Sequence, residues 1–194
     1  MTEDNGGFSL NGIPASEYGA TLLYSPGQPM LPESRDRTST VLRRAGQCWI
    51  GSELGTREFD LPCQFRDCED AAALDTLIRA FARVFVDASG RPKQLKLILD
   101  DAPDVYYLVR YAGQVPFDRA WVGCSDFSLS LIADDPYAYQ LSEEFDIQTI
   151  TTSGESMEII SDGSVSTPAI ICVENTGIAE ITNGFSLKIQ YEVD

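Results

Sequence analysis

A mainly β, α+β architecture is predicted for this chain by three observations. Alternating apolar runs mark strands, one amphipathic stretch at helical spacing lies among them, and clusters of turn-forming residues separate the runs. From about residue 140 the composition shifts to shorter β-type runs. The chain therefore reads as an N-terminal unit over residues 1–139, with strands packed on one helix, followed by a small β-sandwich-like domain over residues 140–194.

The first element is the short strand Phe8, Ser9, Leu10, turned by Asn11 and Gly12. Asn-Gly accepts the positive φ that a tight hairpin requires. Residues 18–24 are expected to form a second strand. Ser25, Pro26, Gly27, Gln28 and Pro29, with Pro32 close behind, then interrupt regular structure, because proline cannot donate to a central ladder. Residues 35–44 form a charged, β-capable segment without a clean period, expected as an exposed loop or hairpin. In residues 58–65, Phe59, Leu61, Cys63 and Phe65 alternate with polar partners, which places four apolar side chains on one face of a sheet.

Leu74, Leu77, Ile78, Phe81 and Phe85 recur at helical spacing and predict a helix over residues 69–86. Asp67, Glu69 and Asp70 stand where the positive end of its dipole would be, and Arg79 and Arg83 near the negative end. Asp67 is the expected cap, and residues 87–92, with Gly90 and Pro92, stop the helix. Residues 95–99 and 105–111 are expected to pair antiparallel across a turn around Pro103. Residues 120–132 supply another strand, bent near Gly123. Beyond residue 140, Phe145, Ile147 and Ile150, then Met157 and Ile159, then residues 170–173, then Leu187, Ile189 and Tyr191 predict short strands separated by Gly- and Asn-containing turns such as Asn183-Gly184.

Composition narrows the chemistry. The 194 residues carry a net charge of −16 and 43% hydrophobic residues, enough for a packed core. Residues 1–100 hold 11 basic and 14 acidic side chains, and residues 101–194 hold 3 and 16, so the two parts stand at −3 and −13. Such a balance opposes nucleic-acid binding, which needs clustered Lys and Arg on one face. No apolar run reaches the roughly 20 residues of a membrane span, and the N-terminus lacks signal-peptide order. A soluble, unexported chain is expected.

Histidine is absent, which removes Ser-His-Asp and Cys-His nucleophiles and most catalytic zinc sites. Cys48, Cys63, Cys68, Cys124 and Cys172 are odd in number and have no metal-type spacing, so reduced thiols are expected. Asp100, Asp101 and Asp104 are the densest carboxylates, but beside Pro103 and between strands they read first as turn formers. No nucleotide-binding glycine motif and no calcium-loop order occurs, and no cofactor or metal is implied. Trp49, Trp121, Tyr106, Tyr107, Tyr137 and Tyr139 serve either core packing and subunit contact or, in an alternative reading, a sugar platform. Arg35, Arg37, Arg43, Arg44 and Trp49 are the candidate interface residues, the arginines because they form a basic segment in an otherwise acidic chain.

Read in order, Phe8-Ser9-Leu10-Asn11-Gly12, Tyr18-Gly19, Gly46 and Gly51 around Cys48-Trp49-Ile50, the segment Asp100-Asp101-Ala102-Pro103-Asp104 with Tyr106-Tyr107, and the closing Asp135-Pro136-Tyr137-Ala138-Tyr139 resemble the distal tail proteins of siphophages. The resemblance covers roughly residues 8–139. It implies a non-enzymatic structural component of the phage tail tip, in which this domain assembles into a homohexameric ring. The implied partners are the tail tube protein, the tail hub or tail-associated lysin, and the tape measure protein, with assembly in the host cytoplasm and residence in the virion. It also implies a galectin-like C-terminal β domain, for which the 55 residues left after residue 139 are short. A carbohydrate- or receptor-binding β module is the alternative function.

Overall fold

The computed structural model describes residues 7–24, 30–66, 68–121, 123–143, 145–152, 154–159, 163–165, 167–168 and 170–178, without the side chains of residues 118–121. The expected turn at residues 25–29, the expected cap Asp67 and the expected strand at Leu187, Ile189 and Tyr191 lie outside them. The chain divides into two units, Met1–Glu144 and Phe145–Asp194.

The first unit is an antiparallel, curled sheet with one helix, plus a separate two-stranded sheet. Its central ladder joins β6 (Arg57–Phe65) to β10 (Cys124–Ala133), with Phe127 opposite Cys63, Leu129 opposite Leu61 and Leu131 opposite Phe59. Because side chains alternate along a strand, this register puts every buried apolar residue of both strands on the same face. β3 (Ala20–Leu22) extends the sheet beyond β6. Pro62 is tolerated inside β6 because its carbonyl accepts from Leu23 N–H at 2.9 Å, so its main chain points to the β3 side. The missing proline N–H therefore removes no bond to β10.

On the other side of β10 the order runs through β8 (Ala102–Tyr111), β7 (Leu95–Leu99) and β1 (Phe8–Leu10) to β2 (Ile13–Pro14). The expected Asn-Gly turn forms: Asn11 and Gly12 hold φ of 53° and 80°. Asn11 also accepts from Lys96 N–H at 2.8 Å, tying this turn to β7. Residues 18–24 prove shorter as a strand than expected, since a 3-10 turn occupies Ala15–Tyr18 and only Ala20–Leu22 is extended.

Two turns fall elsewhere than the sequence suggests. The β7–β8 connection is centred on Asp100 and Asp101, with Leu99 paired to Ala102, so Pro103 lies within β8. The bend near Gly123 is a full reversal, in which β9 (Phe117–Trp121) folds back on β10 with Cys124 opposite Trp121. Gly123 holds φ +86°, and a Cβ there would collide with the Cys68 carbonyl oxygen, so both conformation and space require glycine. β11 (Tyr139–Gln140) closes the unit by pairing with β8.

Helix α1 (Ala71–Ala82) continues into a 3-10 turn over Arg83–Phe85. Its cap is Asp70 rather than Asp67. The Asp70 carboxylate accepts from Ala73 N–H at 2.7 Å, which satisfies one of the open donors of the first turn. Leu74, Phe81 and Phe85 are buried, whereas Leu77 and Ile78 are only half-buried against the core. Phe81 meets four rings, with centroids 5.0 Å from Phe85, 5.6 Å from Phe65, 5.7 Å from Phe127 and 5.9 Å from Tyr18. One cluster of apolar side chains from β1, β3, β6, β7, β8, β10, α1 and the two 3-10 turns forms the core.

Cys63 is fully buried in that core, and burial pushes its thiol up to about 12, because the thiolate would lose its hydration. A disulfide reagent at pH 8 is expected to modify exposed Cys172 rapidly and Cys63 only after denaturation. Mapping the labelled peptides checks this; rapid native-state labelling of Cys63 would contradict the packing.

In the second unit, Thr151 and Thr152 donate to Glu155, with Thr152 N–H at 2.9 Å, and these bonds hold its carboxyl below the usual range. Among the described residues from Phe145 onward there is no strand, and Phe145, Ile147 and Ile170 are exposed. The β-sandwich expected there has no paired strands among those residues. No helix of the described residues is long and apolar enough to cross a membrane.

Candidate interaction surface

The separate sheet contains the candidate interface residues. β4 (Ser34–Ser39) and β5 (Cys48–Leu54) pair only with each other, forming a two-stranded arm that carries Arg35 and Arg37 on β4 and Trp49 on β5. Arg43 and Arg44 sit in its tip, where Arg43 takes φ 67° and Arg44 N–H donates to the Val41 carbonyl at 3.1 Å. The charged segment expected as a loop or hairpin is thus a hairpin. Every residue of β4 is exposed, and so are Leu42, Trp49 and Ile50, at 88%, 66% and 67%. A hairpin of two strands is marginal in water by itself.

Side-chain bonds hold the arm's two strands together. Ser52 Oγ donates to Asp36 Oδ1 at 2.8 Å and Ser34 Oγ at 3.3 Å, while Ser34 and Ser52 also meet each other. The hydroxyl of Ser52, then the indole of Trp49 and the hydroxyl of Ser34, hold the Asp36 carboxyl below the usual carboxylate range against a smaller opposing effect of desolvation than that of Ser52. On the opposite face Arg37 and Glu53 form an ion pair at 2.5 Å, exposed to solvent and therefore of small net value.

At the arm's root a cleft of about 260 Å³ is lined by Leu31, Pro32, Glu33, Thr56, Arg57 and Glu58. Arg57, which sequence reasoning did not single out, links this region to the sheet. It donates to Tyr107 Oη at 2.8 Å and to the Met30 carbonyl at 2.9 Å. Its partners lie 50 and 27 residues away in sequence, so no local pattern marks it.

The other candidates are dispersed. Asp100 accepts from Gly7 N–H at 2.6 Å and Asp104 contributes its carbonyl to Leu141 N–H at 2.8 Å, so two of the three clustered aspartates tie the β7–β8 hairpin to the start of β1 and to the closing strand. The Tyr106 ring stacks on Tyr139 at 5.5 Å and lies under Lys96 Nζ at 4.5 Å. Tyr107 lies against Phe59 at 4.9 Å and the Arg57 guanidinium at 5.2 Å. These rings therefore pack on one another and on their own chain instead of lining one open platform. Beside them Arg110 makes a two-pronged bond to Asp134, at 2.7 and 2.9 Å, which holds that carboxyl below its usual range.

The first unit is thus defined by a curled antiparallel sheet with one packed helix and a separate two-stranded arm. A family model described as "Phage tail protein RIFT-related domain" matches residues 15–133. The chain belongs to this family of phage tail proteins, and as a tail component it is part of the virion. Among solved structures it is similar to the SPP1 Dit protein (gp 19.1), described as a paradigm of the hub adsorption apparatus in phages infecting Gram-positive bacteria. The TM-score is 0.58 at 15% identity, over 70% of this chain and 52% of that one, so the likeness is one of fold and the chain spans about half of the relative's length. No curated protein matches the sequence.

Proposed function

We propose that the chain is a non-enzymatic subunit of a homohexameric ring at the phage tail tip, joining the tail tube to the hub or tail-associated lysin, with the tape measure protein as a further neighbour. The observation that carries this reading is the exposed arm on a Dit-like fold. It carries four arginines and an exposed Trp49 on a two-stranded ribbon that is marginal by itself and would gain order by packing on a neighbouring subunit. Residues 1–139 would form the ring and residues 140–194 a small galectin-like domain at its periphery. Assembly would take place in the host cytoplasm.

The test is the absolute mass of the purified chain, alone and with its tail-tube neighbour, followed by negative-stain images. A mass of six subunits and ring-shaped particles are expected. A monomer under both conditions would overturn the reading.

A further inference from the structure

Register places an extra residue in the arm. Ser34 faces Leu54, Asp36 faces Ser52 and Arg37 faces Gly51, but Thr38 faces Trp49, so Ile50 is inserted without an opposite number. In an unbroken pair, position 49 would fall on the same side as Gly51 and Glu53, beside Arg35 and Arg37. The bulge instead returns Trp49 to the side of Ser34, Asp36 and Ser52. We infer that Trp49 is the anchor by which the arm docks on a second copy of the chain, and that Asp36 is a positioning residue for it.

The hydrogen bonding of this face favours its burial. Both serine hydroxyls donate to Asp36, and the indole is turned to the same carboxylate. Covering the face therefore strands none of these three donors, and stranded donors are the main penalty of burying polar side chains. The opposite face, with Arg35 and the exposed Arg37–Glu53 pair, suits a solvated rim. A tryptophan, large and apolar with one donor already directed within its own strand pair, is the residue type most often found to dominate binding energy.

Charge selects the occupant. Residues 34–54 carry four basic and two acidic side chains, whereas the remainder of the chain carries 10 and 28. A second copy thus presents an acidic body to a basic arm, whose tip carries Arg43 and Arg44.

This inference rests on the ring reading, and the experiment separates the two. In the full chain bearing Trp121→Phe, Trp49 is the only indole, and its acrylamide quenching is followed across a dilution series alongside mass by sedimentation. Association is expected to shield Trp49 from quencher, and Trp49→Ala in the natural background to weaken association at least about 10-fold. Asp36→Ala, which removes the carboxylate that the indole is turned to, should weaken it as well although the indole is retained. Oligomers in which Trp49 stays fully quenchable, or which persist in Trp49→Ala, would overturn the anchor while leaving the ring standing. Undiminished assembly in Asp36→Ala would overturn the positioning role. A chain monomeric throughout the series and with its tail-tube neighbour added would overturn both readings.

Discussion

Phe81→Ala is expected to lower the unfolding free energy of the first unit by about 3 to 5 kcal/mol, the range for an aromatic side chain removed from a core that cannot collapse into the space. Phe81 is 5% exposed, and its four ring neighbours come from four separate places in the chain: the 3-10 turn before β3, strand β6, strand β10 and the turn that ends the helix. Phe65 and Phe127 stack on each other at 4.7 Å and are held by the β6–β10 ladder, so they cannot both move towards the vacated volume without distorting it. Denaturant titration measures the loss. A change under about 1 kcal/mol would mean that the helix does not pack on the sheet as described.

The same contact explains what the sequence reveals and what it conceals. Phe59, Leu61, Cys63 and Phe65, and the helical recurrence of Leu74, Phe81 and Phe85, are legible because burial imposes a period that survives any choice of partner. The Asn11-Gly12 turn is legible because positive φ at two successive residues restricts the residue types. Asp67 is the cap that the sequence suggests, and the bond from Ala73 N–H gives that role to Asp70 three residues on. At Gly123 a bend and a complete reversal leave the same glycine signature, and pairing of Cys124 with Trp121 distinguishes them.

In the arm, the exposed, charged character of the segment is legible in its arginines, but its division into faces is not. Trp49 and Ile50 are adjacent apolar residues, and nothing local says which of them is the inserted one. The arginines likewise do not act as one patch: Arg35 and Arg37 lie along β4, while Arg43 and Arg44 belong to the tip. Arg57 became visible only through Tyr107 and Met30. Features set by long-range pairing are the ones that a linear reading loses.

Reversing Arg43 and Arg44 to glutamate is expected to weaken ring assembly by about 10-fold or more at low salt, with a smaller effect at high salt. Each reversal removes one positive charge and adds one negative charge, so the subunit's net charge passes from −16 to −20 while the basic tip is lost. Subunits this acidic repel one another, and the repulsion between exposed charges is long-ranged where the Debye length is long. In the proposed ring the arm tip offsets this repulsion, so the variant should recover part of its assembly as salt rises, a pattern that loss of an apolar contact alone would not produce. If the proposed ring surrounds a channel for DNA, the basic tip belongs at the subunit contact and not at the channel wall, where an acidic lining would let the phosphate backbone pass without being held. Sedimentation of both proteins across a salt series decides the first point. Equal loss at every salt concentration would count against an electrostatic role for the tip, and binding of the assembled ring to duplex DNA at physiological salt would count against its placement away from the channel.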